Sequence, residues 1–90
     1  MVVVYVYNGV LIMDLNEIKS FIKDVIEEST GSSVEDDTQL FDEEILDSMS
    51  ILYLIGELEG KFDVELPPDE VVQTNYETVD RIAEYVSEKM

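Results

Sequence analysis

Ninety residues suffice for one domain, leaving little room for a deep pocket and the walls that hold it. Five Lys and Arg against 22 Asp and Glu give a net charge of −17, which repels nucleic-acid phosphates and anionic headgroups and steers the chain toward basic patches on other proteins. Cysteine and histidine are both absent, which removes disulfides, thiol catalysis, Ser–His dyads and the usual histidine zinc sites.

The acidity is not a sign of disorder, because 46% of the residues are hydrophobic. A cysteine-free chain also suits a reducing cytoplasm. Residues 1–13, MVVVYVYNGVLIM, are apolar and uncharged, and acids begin at Asp14. The stretch is too short to span a membrane and lacks the positive start and small-residue cleavage site of a signal peptide. Two readings of it stand. Asn8-Gly9 between β-branched and aromatic runs is a hairpin signal, and such a hairpin needs the domain or another copy to lean on. Alternatively Met13 is the natural start, and the first twelve residues are an extension from translation or cloning. Residues 14–90 form the domain proper.

Leu15, Ile18, Ile22, Val25 and Ile26 fall at helical spacing, with Asp14 as the expected N-cap and Gly31 as the residue that ends the helix. Residues 32–47 make a long acidic connection pinned by Leu40 and Phe41. A second helix opens at Ser48, with a stripe of Met49, Leu52, Ile55, Leu58 and Phe62 broadened by Ile51 and Leu54. Gly56 and Gly60 are poor helix residues, so a close packing approach is expected at one of them. Pro67 and Pro68 end that region, and residues 69–73 make a turn or so, capped by Asp69. Thr78 caps a last helix whose Val79, Ile82, Ala83 and Val86 face inward. The fold class is therefore all-α: a small four-helix bundle of three long helices and one short one, with a long first loop.

Chemistry is scarce. The run EDDTQLFDEEILD invites a calcium reading, but Leu40 and Phe41 occupy the middle where a calcium loop needs ligands and glycine. No metal site and no catalytic residue is expected, and no glycine-rich phosphate loop is present. What remains is Ser48, between Asp47 and an apolar helix. As structure, it is an N-cap. As function, a group on its oxygen would sit in solvent at the positive end of a helix, where a phosphate is favourably placed. Activation of the hydroxyl then falls to a second enzyme.

The stretch LDSMSILYLIGELEGKFDVELPPDE and the later NYETVDRIAEYV resemble the acyl carrier proteins of the phosphopantetheine-binding family. The family's Asp-Ser-Leu/Met element matches Leu46-Asp47-Ser48-Met49, its Glu-x-x-Phe helix ending matches Glu59 to Phe62, and its Phe-x-x-x-Ile/Leu-Pro tail matches Phe62, Leu66 and Pro67. The Thr-Val opening of the last helix matches Thr78 and Val79. The resemblance covers about residues 14–90.

It implies an acyl-carrier-like bundle and a non-catalytic function. A phosphopantetheinyl transferase attaches the 4′-phosphopantetheine of coenzyme A to Ser48, Asp47 helps present the serine, and the arm supplies the thiol this chain lacks. Cargo rides on it as a thioester between a loading ligase and downstream synthases with basic docking patches. The chain departs from the fatty-acid carriers of that family. Glu57, Glu59 and Asp63 keep the acid character of the second helix, but Ser50, Tyr53, Gly60 and Lys61 stand where such carriers tend to be acidic. Met49 and Tyr53 make the docking face more apolar, which favours a dedicated partner. The docking set is Met49, Tyr53, Glu57, Glu59 and Asp63.

The leading expectation is thus a cytoplasmic, monomeric acyl carrier in fatty-acid-like or specialised, polyketide-type biosynthesis. The alternative is an aminoacyl carrier, D-alanyl or peptidyl, loaded by an adenylating ligase. A rival of another class is an acidic helical interaction module without cargo. Ile51, Leu54, Ile55 and Val79 either line a cargo cavity or are ordinary core, and the second is favoured.

Overall fold

The computed structural model describes the backbone of residues 4–7 and 10–13 and the whole of residues 15–90. The element order is β1 (Val4–Tyr7), β2 (Val10–Met13), α1 (Leu15–Thr30), α2 (Ser48–Phe62), a 3₁₀ turn (Pro68–Glu70), α3 (Gln73–Tyr76) and α4 (Val79–Lys89). The strands pair antiparallel, with Val4 opposite Met13 and Tyr7 opposite Val10. A two-stranded ribbon thus precedes the helical bundle. The expected Asn8-Gly9 turn and the expected Asp14 cap lie outside the described residues.

The four helices are three long and one short, as the sequence predicts, because three segments carry a sustained apolar stripe. In α1, Ile18, Ile22, Val25 and Ile26 are buried. The helix stops where Gly31, at φ +79, donates its N–H to the Glu27 carbonyl at 2.8 Å, the left-handed turn that glycine makes at no steric cost. In α4, Val79, Ile82, Ala83 and Val86 are fully buried, and Thr78 Oγ1 accepts from Arg81 N at 3.1 Å. Helices α1 and α4 pack on each other, α2 lies against α1, and α3 against α4. Phe21 of α1 meets Phe62 of α2 edge to face, with ring centroids 5.5 Å apart.

Three sequence expectations change. Met49 and Leu52 do not belong to the buried stripe of α2, being 77% and 64% exposed, whereas Ile51, Leu54, Ile55, Leu58 and Phe62 are buried. Nine residues separate Met49 from Leu58, two and a half helical turns, so the two point in opposite directions. Gly56 and Gly60 share the outer side, and a Cβ added to either meets nothing within 4 Å; no close approach among the described residues accounts for them. The region after Pro67 splits into a 3₁₀ turn and a single α-helical turn. Pro67 occupies the cap position of the 3₁₀ turn with no side-chain cap bond, so Asp69 does not cap it.

The long first loop is held at both ends and in the middle. Leu40 is fully buried, its N–H bonds the Glu77 carbonyl at 2.9 Å, and its own carbonyl accepts from Ile45 N and Leu46 N. Asp80 N donates to the Asp36 carbonyl at 3.0 Å, while Lys19 and Lys23 of α1 ion-pair with Asp36, and Lys19 also with Asp80 at 2.8 Å. The pins are Leu40, Val34 and Leu46, with Phe41 and Ile45 packed on the core's edge. Ile51, Leu54, Ile55 and Val79 are members of the hydrophobic core.

Candidate functional site

The loop delivers the chain to α2 in a fixed frame. Leu46, buried, precedes the cap, and Ile51, buried, stands four residues after it; these are the positions of a hydrophobic staple. With those two side chains turned inward, the residues between them are turned out. Asp47, in extended conformation at φ −121 and ψ −173, is the N-cap. Its Oδ1 accepts from Met49 N at 3.1 Å and from Ser50 N at 2.9 Å. Ser48 is therefore the first residue of the helix and not its cap, a correction with a physical cause. Asp and Ser cap about equally well, and the staple decides which one sits at the boundary. The correction frees the Ser48 hydroxyl, which is exposed and is not used to close the helix end.

The N–H groups of Met49 and Ser50 that satisfy the Asp47 carboxylate also hold its pKa below the usual aspartate value, the Ser50 contribution being the largest. Asp47 thus stays ionised and keeps the helix start rigid beneath Ser48. On one side of Ser48 lies an apolar groove walled by Phe41, Ile51, Val71 and Val72, with Gln73 at its end. On the other, Glu28, Ser29, Met49, Ser50 and Tyr53 form a shallow depression between the end of α1 and the start of α2. Tyr53 carries a raised hydroxyl pKa, caused first by the charge of Glu57 and then by that of Glu28.

The structure divides the expected docking residues. Met49, Tyr53 and Glu57 are exposed along the outer face of α2 that begins at Ser48. Glu59 is half-buried, and its Oε2 accepts from Leu66 N at 3.0 Å, fastening the chain after α2 back onto the helix. Asp63 closes the far end of α2 in the left-handed region at φ +54, fifteen residues from Ser48 and so about 22 Å along the axis. Three exposed or half-exposed apolar residues were missed: Leu52, Val72 (48% exposed) and Phe41. Leu52 had a signal, because it lies one turn from Met49 on the side opposite Leu58. Val72 and Phe41 sit in irregular segments, where periodicity says nothing.

The chain has no histidine or cysteine to serve Ser48 as a base, and the adjacent Asp47 carboxylate is bonded to the backbone N–H groups of Met49 and Ser50. Among the described residues no group of three His, Cys, Asp or Glu is placed to hold a metal ion. No helix among them is long and apolar enough to cross a membrane. What the geometry offers is an accessible, unactivated hydroxyl on the first turn of a well-capped helix, a place to tether a group and not to turn one over. Ser48 is exposed at the end of the helix that favours negative charge, where a phosphate ester on its oxygen would face solvent.

Comparison with known proteins bears on this geometry. The family described as a phosphopantetheine attachment site matches residues 16–86. The D-alanyl carrier protein of Lactococcus lactis subsp. cremoris is 47% identical over 74 residues, spanning 79% of this chain and 94% of that one. The D-alanyl carrier protein of Streptococcus sanguinis is 39% identical over 74 residues, spanning 80% and 94%. Among solved structures, a similar chain occurs in the crystal structure of Bradyrhizobium japonicum glycine:[carrier protein] ligase complexed with glycylated carrier protein, with a TM-score of 0.61 and 26% identity, covering 80% of this chain and 96% of that one.

Proposed function

Because the chain belongs to the phosphopantetheine attachment-site family, we propose that it is an aminoacyl carrier whose 4′-phosphopantetheine is attached at Ser48. The carrier role and the covalent cofactor follow from the family, and the interaction module without cargo is set aside. The observation that supports Ser48 as the attachment point is its exposed hydroxyl on the first residue of α2, next to an Asp47 carboxylate committed to the helix backbone. When bound, the arm supplies the thiol that a chain without cysteine does not have.

Aminoacyl cargo is preferred to the fatty-acid-like or polyketide cargo of the leading sequence expectation. The curated relatives cited above are D-alanyl carrier proteins, and the similar solved structure is a glycylated carrier bound to its ligase. The outer face of α2 agrees with a dedicated ligase: Met49, Leu52 and Tyr53 present apolar surface with Glu57 as its acidic member. In this reading the chain's own residues do three things. Ser48 provides the oxygen that takes the arm from coenzyme A, Asp47 holds the helix start, and the exposed Met49, Leu52, Tyr53 and Glu57 are gripped by partner enzymes, with the turnover of cargo left to those enzymes. A phosphopantetheinyl transferase performs the attachment, and an adenylating ligase the loading. Coenzyme A and ATP are both cytoplasmic, so loading belongs in the cytoplasm.

Incubation with coenzyme A and a broad-specificity transferase, followed by intact mass, tests the attachment. The wild type gains one phosphopantetheine and Ser48→Ala gains none. A folded wild type that gains nothing, or a Ser48→Ala variant that still does, overturns the assignment. Supplying the modified protein to an aminoacyl-adenylating ligase with ATP and either D-alanine or glycine, against a fatty-acyl ligase with its acid, tests the cargo. Loading by the fatty-acyl ligase alone reverses the aminoacyl reading.

A further inference from the structure

One wall of the groove beside Ser48 belongs to a segment that cannot hold itself in place. After Pro67 and Pro68 the chain makes a single 3₁₀ turn, none of whose residues is buried. Its internal bonds are few: Glu70 N to the Pro67 carbonyl at 3.0 Å, Val71 N to Pro68 at 3.2 Å and Val72 N to Glu70 at 2.9 Å. Short 3₁₀ turns of this kind have poor hydrogen-bond geometry and no length over which to cooperate. Yet Val71 packs against the core edge, and Val72, 48% exposed, lines the groove beside Ser48 as an apolar lip.

The side chain that fastens the segment to α4 is that of Glu70, beside the bond from Asn75 N to the Val72 carbonyl at 3.0 Å and the packing of Val71. The Glu70 carboxylate accepts from the Tyr85 hydroxyl at 2.6 Å and ion-pairs with Lys89 Nζ at 2.7 Å. Its main-chain carbonyl accepts from Asn75 Nδ2 at 2.9 Å, tying the turn forward to α3. The anchor is itself rigid. Tyr85 is buried on α4, edge to face with the fully buried Tyr76 of α3 at 5.5 Å, and the Lys89 ammonium lies 5.5 Å from the Tyr85 ring centre. One of only five cations in the chain is placed here.

We propose that Glu70 is a positioning residue for the carrier site: by fastening the 3₁₀ turn to Tyr85 and Lys89 it sets where Val71 and Val72 stand beside Ser48. Any enzyme that reaches Ser48 must accept the surface on both sides of it. A wall already in place spares that enzyme the cost of ordering it on binding. Glu70 therefore acts on the encounter with partner enzymes and not on the chemistry they perform. The inference rests on Ser48 as the attachment point.

The test compares wild type, Glu70→Ala, Glu70→Gln and Tyr85→Phe. The last keeps the ring against Tyr76 and loses only the hydroxyl. Amide hydrogen exchange is read residue by residue, and KM and kcat are measured for transfer from coenzyme A by a broad-specificity transferase. Glu70→Ala should speed exchange at Val71 and Val72 at least about tenfold while α1 and α2 amides keep their protection. It should raise KM about fivefold with kcat within about twofold. Tyr85→Phe should move both in the same direction by less, and Glu70→Gln, which can still accept from Tyr85, should recover part of the loss. Exchange that rises throughout the chain means Glu70 is merely structural and overturns the proposal, as does an unchanged KM in variants whose wild type loads normally. A wild type that takes no phosphopantetheine overturns the Ser48 assignment instead, and the exchange data then decide the wall's dependence on Glu70 separately.

Discussion

Asp47 and Ser48 show how one residue's shift of register changes a function argument. Either residue caps a helix well, so composition alone could not choose; the buried pair Leu46 and Ile51 does. The sequence singles out Ser48 through the resemblance to the family and its place at a helix start, and the proposed attachment point rests on that reading. That it is relieved of capping was not legible, because the cap depends on which neighbours reach the core. The consequence is testable by pH. The folded-state pKa of Asp47 lies below its ordinary 3.8, so its ionised form contributes stability that is present above that value and is lost as pH falls through the depressed folded pKa. Asp47→Asn keeps a cap acceptor but no charge. The gap in urea midpoint between wild type and Asp47→Asn should be full at pH 7 and narrow progressively as pH falls below 3.8. A gap that is the same size at every pH means the charge contributes nothing through the backbone N–H groups.

At the scale of elements, the helices with a sustained period were the most legible. The four residues that the sequence pattern turns inward in α4 are all buried, with Tyr85 joining them from outside the pattern, and α1 ends at the glycine that its pattern leaves over. Leu58, fully buried where α2 faces the core, should lose about 2–5 kcal/mol on replacement by alanine, read as a drop in urea midpoint at constant slope. The outer side of the same helix predicts the opposite sign. Gly56 and Gly60 sit in α2 with open space where a Cβ would be, so each change to alanine should stabilise by up to about 1 kcal/mol. If partners press against this face, Gly56→Ala should also raise KM for the loading ligase; a loss of stability instead would mean the open space is not open in solution. The segment after Pro67 was the least legible, and for a stated reason. A single 3₁₀ turn and a four-residue helix are too short to show a period, and the Glu70 contact that holds them joins residues fifteen apart in the chain.

The whole molecule carries a large imbalance whose physics acts on stability and on binding with opposite signs. Every one of the five Lys and Arg side chains is engaged internally. Lys19 and Lys23 hold Asp36 and Asp80, Lys61 lies over Phe21, Arg81 reaches Glu84, and Lys89 reaches Glu70. Among the described residues those ion pairs take up only Asp36, Asp80, Glu84 and Glu70, and the rest of the 22 acids leave the chain at −17, so the compact state is destabilised by self-repulsion. Salt weakens both the few attractions and the many repulsions, but 22 acids against five cations make the repulsions the larger sum. Raising sodium chloride from about 20 mM to about 300 mM shortens the screening length from roughly 20 Å to roughly 6 Å, and the melting temperature should rise across that range. Over the same range KM for partner enzymes should rise too if they dock through basic patches, because such patches would lose the long-range field that speeds encounter. Calorimetry and initial rates on one salt series separate the two. A melting temperature that falls with salt would mean that the Lys19, Lys23 and Lys89 pairs outweigh the acid surface, and the Lys19–Asp36–Asp80 cluster joining α1 to the long loop and α4 would then be the dominant electrostatic element of the fold.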